Sequence, residues 1–195
     1  TGFESCTIYI YRDGMIYKVT GCRGNVELVA EAGKFAQLNW TFKGLYQIPV
    51  DGAIVTGTFD SAKPPVVKNI AFTMHTYSAI LNKLQVALNN TIAKRISANA
   101  AEAVVGFEIT GRGTNGSVDP ETVLEATHAF WTKWKDGTAA ALTALIGDTA
   151  GNKIQIDAPK VQYAEIKWGD REGTMIYDIP LNLAQNAGDD ELKVT

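Results

Sequence analysis

Gly111, Gly113 and Gly116 stand at the G-x-G-x-x-G spacing, and residues 104–110 before them read as a strand. Such a loop holds a dinucleotide pyrophosphate when it opens directly into a helix within a βαβ unit, because the helix N-terminus supplies amides and the positive end of a dipole. Here Ser117, Val118, Asp119 and Pro120 follow, among segments of antiparallel character, so a surface loop is the stronger reading. His75 and His128 are far apart and fall in no metal-ligand spacing, which favours structural roles. Asp189, Asp190 and Glu191 form an acidic cluster, with Asp170 and Glu172 in an earlier turn. Paired carboxylates can bind divalent cations or move protons, but turns and solvated faces are their ordinary setting. H-x-x-x-H, C-x-x-C, G-x-S-x-G and P-loop patterns are absent. The sequence therefore assigns no catalytic, cofactor-binding or metal-binding residue, and the chain reads as a non-enzyme.

Cys6 and Cys22 are the two cysteines. They sit on the arms of a predicted hairpin, close to opposite one another. Two readings stand: a cross-strand disulfide in an oxidising compartment, or two small buried thiols in a reduced cytosol, the commoner case. Four tryptophans could line a carbohydrate platform. Trp131 and Trp134 share a helical stripe with aliphatic residues and Trp40 alternates with Leu38 and Phe42, so these three are expected in the core. Trp168, beside a turn, is expected to be exposed. A β-sandwich adhesin or glycan-binding module using Trp168 and the loop 111–117 is thus an alternative function.

The elements that would position these residues are mostly strands. Residues 3–12 are rich in β-branched and aromatic side chains. Asp13-Gly14 is a strong hairpin turn. Further arms at 15–22, 26–31 and 34–42 complete an antiparallel meander. Residues 43–65 contain Gly44, Pro49, Gly52, Gly57, Pro64 and Pro65, yet also Val50, Ile54, Val55 and Phe59. Long connections of this kind are usually functional, and this one is expected to be a protruding arm that orders against another subunit. Strands resume at 66–77, 83–88, 91–97 and 104–110, although Leu81, Leu84 and Leu88 also fit helical spacing. Residues 127–146 are predicted to be the one helix, with Trp131, Trp134, Thr138, Leu142 and Leu145 on one stripe and Thr127 as N-cap. Gly137 weakens that helix. The last quarter, 151–194, alternates regularly about the turn Gly169-Asp170-Arg171-Glu172-Gly173. The predicted fold is mainly β: an antiparallel β-sandwich or partly open barrel with one flanking α-helix.

Bulk properties agree with an ordinary folded chain. Its 195 residues are 46% hydrophobic and 20% charged, enough to bury a core without metals or disulfides. A formal net charge of −3 gives no sign of nucleic-acid wrapping or of an anionic membrane surface. No apolar run approaches the ~20 residues of a membrane helix, and no signal peptide is legible. The chain begins at Thr1, which suggests an excerpt of a longer polypeptide lacking its N-terminal segment.

Three stretches together resemble the tail tube proteins of long-tailed bacteriophages, particularly the subgroup in transposable, Mu-like phages with flexible tails. The first is Gly33-Lys34-Phe35-Ala36-Gln37-Leu38-Asn39-Trp40-Thr41-Phe42-Lys43-Gly44-Leu45-Tyr46. The second is Asp119-Pro120-Glu121 after a glycine-rich loop. The third runs from Gly147 to Glu191, through the G-D-R-E-G turn, Asp178-Ile179-Pro180-Leu181 and Asn186-Ala187-Gly188-Asp189-Asp190-Glu191.

That resemblance implies a single tail-tube-like domain over 1–195, a structural virion protein of the tail. Six copies would close into a ring with a continuous inner β-barrel, and rings would stack into a hollow tube. The lumen would hold a tape-measure protein during assembly in the bacterial host cytoplasm and pass DNA at infection without binding it specifically. Tail terminator and initiator proteins would be further partners. A secretion-system tube protein of the same fold is the nearest functional neighbour. Residues 43–65 would serve as the inter-ring arm, and strands within 34–42 and 161–183 as barrel surface. Carboxylates facing the lumen would keep DNA from adhering to the wall, and closing strands across subunits would remove exposed sheet edges.

Overall fold

A computed structural model gives the structure of the chain and describes residues 4–195. In chain order the strands are β1 (Cys6–Arg12), β2 (Met15–Glu31), β3 (Gln37–Asp51), β4 (Ala71–Met74), β5 (Leu81–Ala87), β6 (Asn90–Ile96), β7 (Val104–Arg112) and β8 (Asn115–Pro120). A short helix, α1 (Phe130–Lys135), precedes β9 (Ala140–Ile146), β10 (Ile154–Tyr163), β11 (Lys167–Arg171), β12 (Thr174–Ala184) and β13 (Lys193–Val194). The fold is mainly β, its strand pairs antiparallel, with one helix, as the residue pattern predicts, although that helix is short. Turn chemistry sets the hairpins. Asp13 and Gly14 have φ of 47° and 78°, and Glu172 and Gly173 have φ of 52° and 84°. Both pairs thus meet the demand of a two-residue turn with both central residues left-handed.

By contact the described residues divide into two compact units. One comprises the residues up to Val26, Trp40–Ser61 and Asn89–Gly113; the other comprises Glu27–Asn39, Ala62–Leu88 and Thr114–Thr195. In the second unit the sheet runs in the order β2 (its last part), β5, β8, β12, β10, β9, β4, with β11 on β12 and β13 on β10. Tyr177, Ile179, Leu181 and Leu183 of β12 are buried at every second position, the period of a strand with one face on the core. Leu142, Ala144 and Ile146 of β9 and Ile156, Ala158 and Val161 of β10 meet them there. Every member of the described apolar core cluster belongs to this unit. The first unit holds β1, the first part of β2, β3 from Trp40, and the β6–β7 hairpin. Among its described residues, Cys22 is the one buried apolar side chain.

The long helix predicted at 127–146 is not present. Helix α1 covers six residues, and the chain then turns at Gly137, whose φ is +61°. Residues 140–146 form β9, hydrogen-bonded to β4 on one side and β10 on the other. Leu142 and Leu145 fit a 3.6-residue stripe, but Leu142, Ala144 and Ile146 fit a period of two equally well. Pairing on both edges decides between the two, because tertiary context overrides the helix propensity of Ala and Leu. The predicted N-cap is also displaced. Ala129 occupies that position without a side-chain bond, and Glu125 instead accepts from the backbone amides of Trp131 (3.4 Å) and Thr132 (2.9 Å).

Two further expectations change. The strand predicted over 66–77 shrinks to β4, because Asn69, His75 and Thr76 adopt φ of 49°, 52° and 64° and turn the backbone on either side. The segment 43–65 divides at Asp51: residues up to it continue β3, and 52–65 have no regular secondary structure. The ambiguity at Leu81, Leu84 and Leu88 resolves in favour of a strand: Leu81 and Leu84 lie in β5, and Leu88 follows its end.

Candidate assembly surface

Trp40, Phe42, Tyr46, Ile48 and Val50 occupy alternate positions of β3, with Gly44 at the remaining one. Period two places them on one face of the strand. All five are exposed, Trp40 at 57% and Ile48 at 82%. The rings of Trp40 and Phe42 stack with centroids 5.9 Å apart and planes within 5°. Phe42 lies over Gly24 of β2, where an added Cβ would meet the ring at 2.5 Å, so glycine is what lets the ring seat. The expectation that Trp40 and its alternating neighbours form a core face is therefore corrected: no described residue buries them. Alternation reports that a strand has an apolar face, not whose surface covers it.

The same unit displays more apolar surface. Tyr9, Ile10, Tyr11, Met15 and Tyr17 are exposed on β1 and β2. Tyr9 and Tyr11 stack at 6.5 Å, with the Lys18 ammonium 5.5 Å from the Tyr9 ring centroid. Ile54, Val55 and Phe59 project from the irregular segment, Phe59 at 91% exposure. Gly52 ties the start of that segment back through its amide to the Gly14 carbonyl at 2.9 Å. A groove of about 440 Å³ is lined by Tyr46, Gln47, Lys94, Glu102 and Phe107. Monomeric soluble proteins rarely leave large contiguous apolar patches uncovered, and such patches mark sites of association. Physically, this unit presents flat aromatic and aliphatic strand faces that gain by covering one another.

The residues weighed for chemistry sit in structural settings. The Gly111–Gly116 loop joins β7, ending at Arg112, to β8, beginning at Asn115, so it opens into a strand and supplies no helix N-terminus. His75 and His128 are buried in one aromatic cluster of the second unit. His75 Nε2 bonds the Val161 carbonyl at 2.8 Å, and His128 Nε2 bonds the Tyr163 hydroxyl at 2.9 Å. The His75 ring stacks on Tyr163 and the His128 ring on Tyr77, each at 4.6 Å. His75 lies in the turn after β4, not within a strand. Burial lowers the pKa of both rings, and for His128 burial, then Lys133 and His75, push it down to about 4. Among the described residues no group of three or more His, Cys, Asp or Glu side chains could hold a metal.

The acidic cluster does turn chemistry. The Asp190 carboxylate accepts the amides of Asn186 (2.8 Å) and Ala187 (3.0 Å), which holds its pKa below the usual range. Glu191 is buried and accepts from the Thr114 hydroxyl at 3.3 Å. Asp170 accepts the Gly173 amide in its hairpin at 3.2 Å. Trp168 is 59% exposed, as expected, and leans on Trp131 and Tyr177 at 5.8 and 5.1 Å. Trp131 packs against the core and donates to Tyr177 Oη at 3.1 Å. Trp134, expected in the core, is exposed and donates to the Ala164 carbonyl at 3.1 Å.

One relationship was not legible from sequence. Arg171, in the G-D-R-E-G turn, reaches Asp119 and Glu121, so two of the three stretches that carry the resemblance meet in an ion-pair network. The signal was present only as one arginine in a turn and two carboxylates far from it in the chain.

The geometry defines a mainly-β structural protein whose notable surface is a strand face. The family model described as phage tail tube protein matches residues 1–194, and the chain belongs to that family. It is a structural tail tube subunit, and its place is the virion tail. No curated protein matches it. Among the described residues no helix is long and apolar enough to cross a membrane.

Proposed function

We propose that six copies of this chain close into a ring, that rings stack into the hollow tail tube of a Mu-like, flexible-tailed phage, and that the tube conducts DNA without catalysis. The observation that supports this reading is the exposed apolar face of β3, in a unit whose described residues bury no apolar side chain beyond Cys22. Such a unit is completed by neighbouring copies, whose strand faces cover its own. Residues 52–65 and the adjoining end of β3 form the arm that reaches the next ring. Assembly proceeds in the host cytoplasm around a tape-measure protein, bounded by tail initiator and terminator proteins.

The test is electron microscopy and sedimentation of the chain at high concentration, alone and with tail-assembly partners. Rings and tubes are expected for the native sequence. Ile48→Lys is expected to stay monomeric with an unchanged melting temperature, because its side chain contacts little within one copy. Persistent failure of the native chain to form rings or tubes under either condition overturns the proposal.

A further inference from the structure

Cys6 of β1 and Cys22 of β2 are Cα partners in the antiparallel register, and both thiols are free. Directly opposed residues in such a pair have Cα atoms about 4.5 or 5.5 Å apart. Either spacing lies inside the ~4.4–6.8 Å range that a disulfide spans, and the strand register shifts beside this pair, between Cys6 and Ile8. The Cys6 side chain is near enough to Cys22 to perturb its thiol. Cys22 Sγ also points at the Val19 carbonyl at 3.3 Å.

The two sulfurs differ in access. Cys6 is exposed, which corrects the expectation of two buried thiols, whereas Cys22 is 2% exposed. Gly44 of β3 accounts for the difference. A Cβ at that position would stand 2.6 Å from Cys22 Sγ, so the bare β3 backbone lies against the sulfur and shields it. Burial, and then the neighbouring Cys6, push the Cys22 thiol up from its ordinary pKa.

We propose that Cys6 and Cys22 form a redox-closable staple between β1 and β2, in which Cys6 takes up a small disulfide oxidant and Cys22 resolves it. With oxidised glutathione as the oxidant, the Cys6 thiolate attacks one glutathione sulfur. The glutathione S–S bond breaks, one glutathione thiolate leaves, and a Cys6–glutathione mixed disulfide forms. Cys22 then gives up its proton and attacks the Cys6 sulfur. The mixed disulfide breaks, and the second glutathione leaves as thiolate and takes up a proton. Two protein thiols are oxidised to one disulfide and one glutathione disulfide is reduced to two thiols. The roles are fixed by access, because a buried sulfur cannot meet the oxidant first. No third cysteine exists to scramble the bond. The staple would lock two strands of the unit that has no other buried apolar side chain among its described residues. It stands on register and access alone and holds whether or not the chain forms tubes.

The test is native incubation of the full chain in graded mixtures of oxidised and reduced glutathione, read by intact mass after alkylation of remaining thiols. The native sequence is expected to lose both thiols together, stay monomeric in mass and retain no glutathione. Cys22→Ser is expected to stop at a stable glutathione adduct on Cys6. Cys6→Ser is expected to react at least about tenfold more slowly, since only the shielded thiol remains. The proposal fails if the native sequence accumulates the Cys6 adduct without closing, or closes only after denaturation in guanidinium. Equal reactivity of the two single variants overturns the assigned roles.

Discussion

Arg171 Nη1 lies 3.2 Å from Asp119 Oδ2, while the other carboxylate oxygen of Asp119 accepts the backbone amides of Asn82 (2.9 Å) and Lys83 (2.6 Å). One carboxylate thus joins β5, β8 and β11. The second arm of the guanidinium reaches Glu121 at 3.0 Å. The two acids are not equivalent. Asp119→Ala removes the acceptor of two amides as well as an ion pair, and is expected to cost about 2–3 kcal/mol. Glu121 is more exposed, so Glu121→Ala is expected to cost at most ~1 kcal/mol. Urea unfolding of both variants checks the order, and equal costs would contradict this view of the network.

The buried histidines make stability depend on acid. His128 titrates at about 4 in the fold, against an ordinary value of 6.5, and burial lowers His75 as well. The unfolded chain therefore binds more protons than the fold below the ordinary value. Stability is complete above 6.5 and is lost as pH falls through that value toward 4. His128 alone accounts for a loss of about 2 kcal/mol between pH 7 and 5. Unfolding curves at the two pH values are expected to show at least that drop. His128→Phe keeps a ring against Tyr77 and Phe130 and is expected to flatten the slope. A slope unchanged in that variant would remove His128 as its source.

Gly137 separates two readings of the residues that follow α1. In a continuous helix, Gly137→Ala would stabilise by up to about 1 kcal/mol. In the observed turn its φ of +61° makes an alanine strained, and a loss of about 1–2 kcal/mol is expected. Leu142 is fully buried, so Leu142→Ala is expected to cost about 2–5 kcal/mol, and the same change at the partly buried Leu145 clearly less. Thermal unfolding of the three variants settles the sign and the ranking.

Legibility from sequence followed the range of the interaction that decides each feature. The turns at Asp13-Gly14 and Glu172-Gly173 were legible because positive φ is a local demand. The alternation of Tyr177, Ile179, Leu181 and Leu183 was legible because one face of β12 meets the chain's own core. β9 was not, since 138–146 fits both periods and pairing with β4 and β10 breaks the tie. The meeting of Arg171 with Asp119 depends on β8 and β11 both pairing with β12, a non-local fact. The exposed face of β3 escaped for a different reason: its pattern is that of a buried strand, yet no described residue of the chain buries it.

The irregular segment offers the sharpest separation of folding from assembly. Ile54, Val55 and Phe59 are exposed, and residues 53–60 enter no strand. Replacing 53–60 by a short Gly/Ser linker removes little buried surface within one copy. The cost to the monomer is therefore expected to stay below about 1 kcal/mol, because loop closure changes only slowly with length. If this segment is the arm between rings, single rings should still form while tubes do not. Sedimentation and electron microscopy distinguish the two products directly. Tubes of normal length from the shortened chain would show that stacking runs through the strand faces alone, and would transfer the inter-ring role from Phe59 and its neighbours to β3.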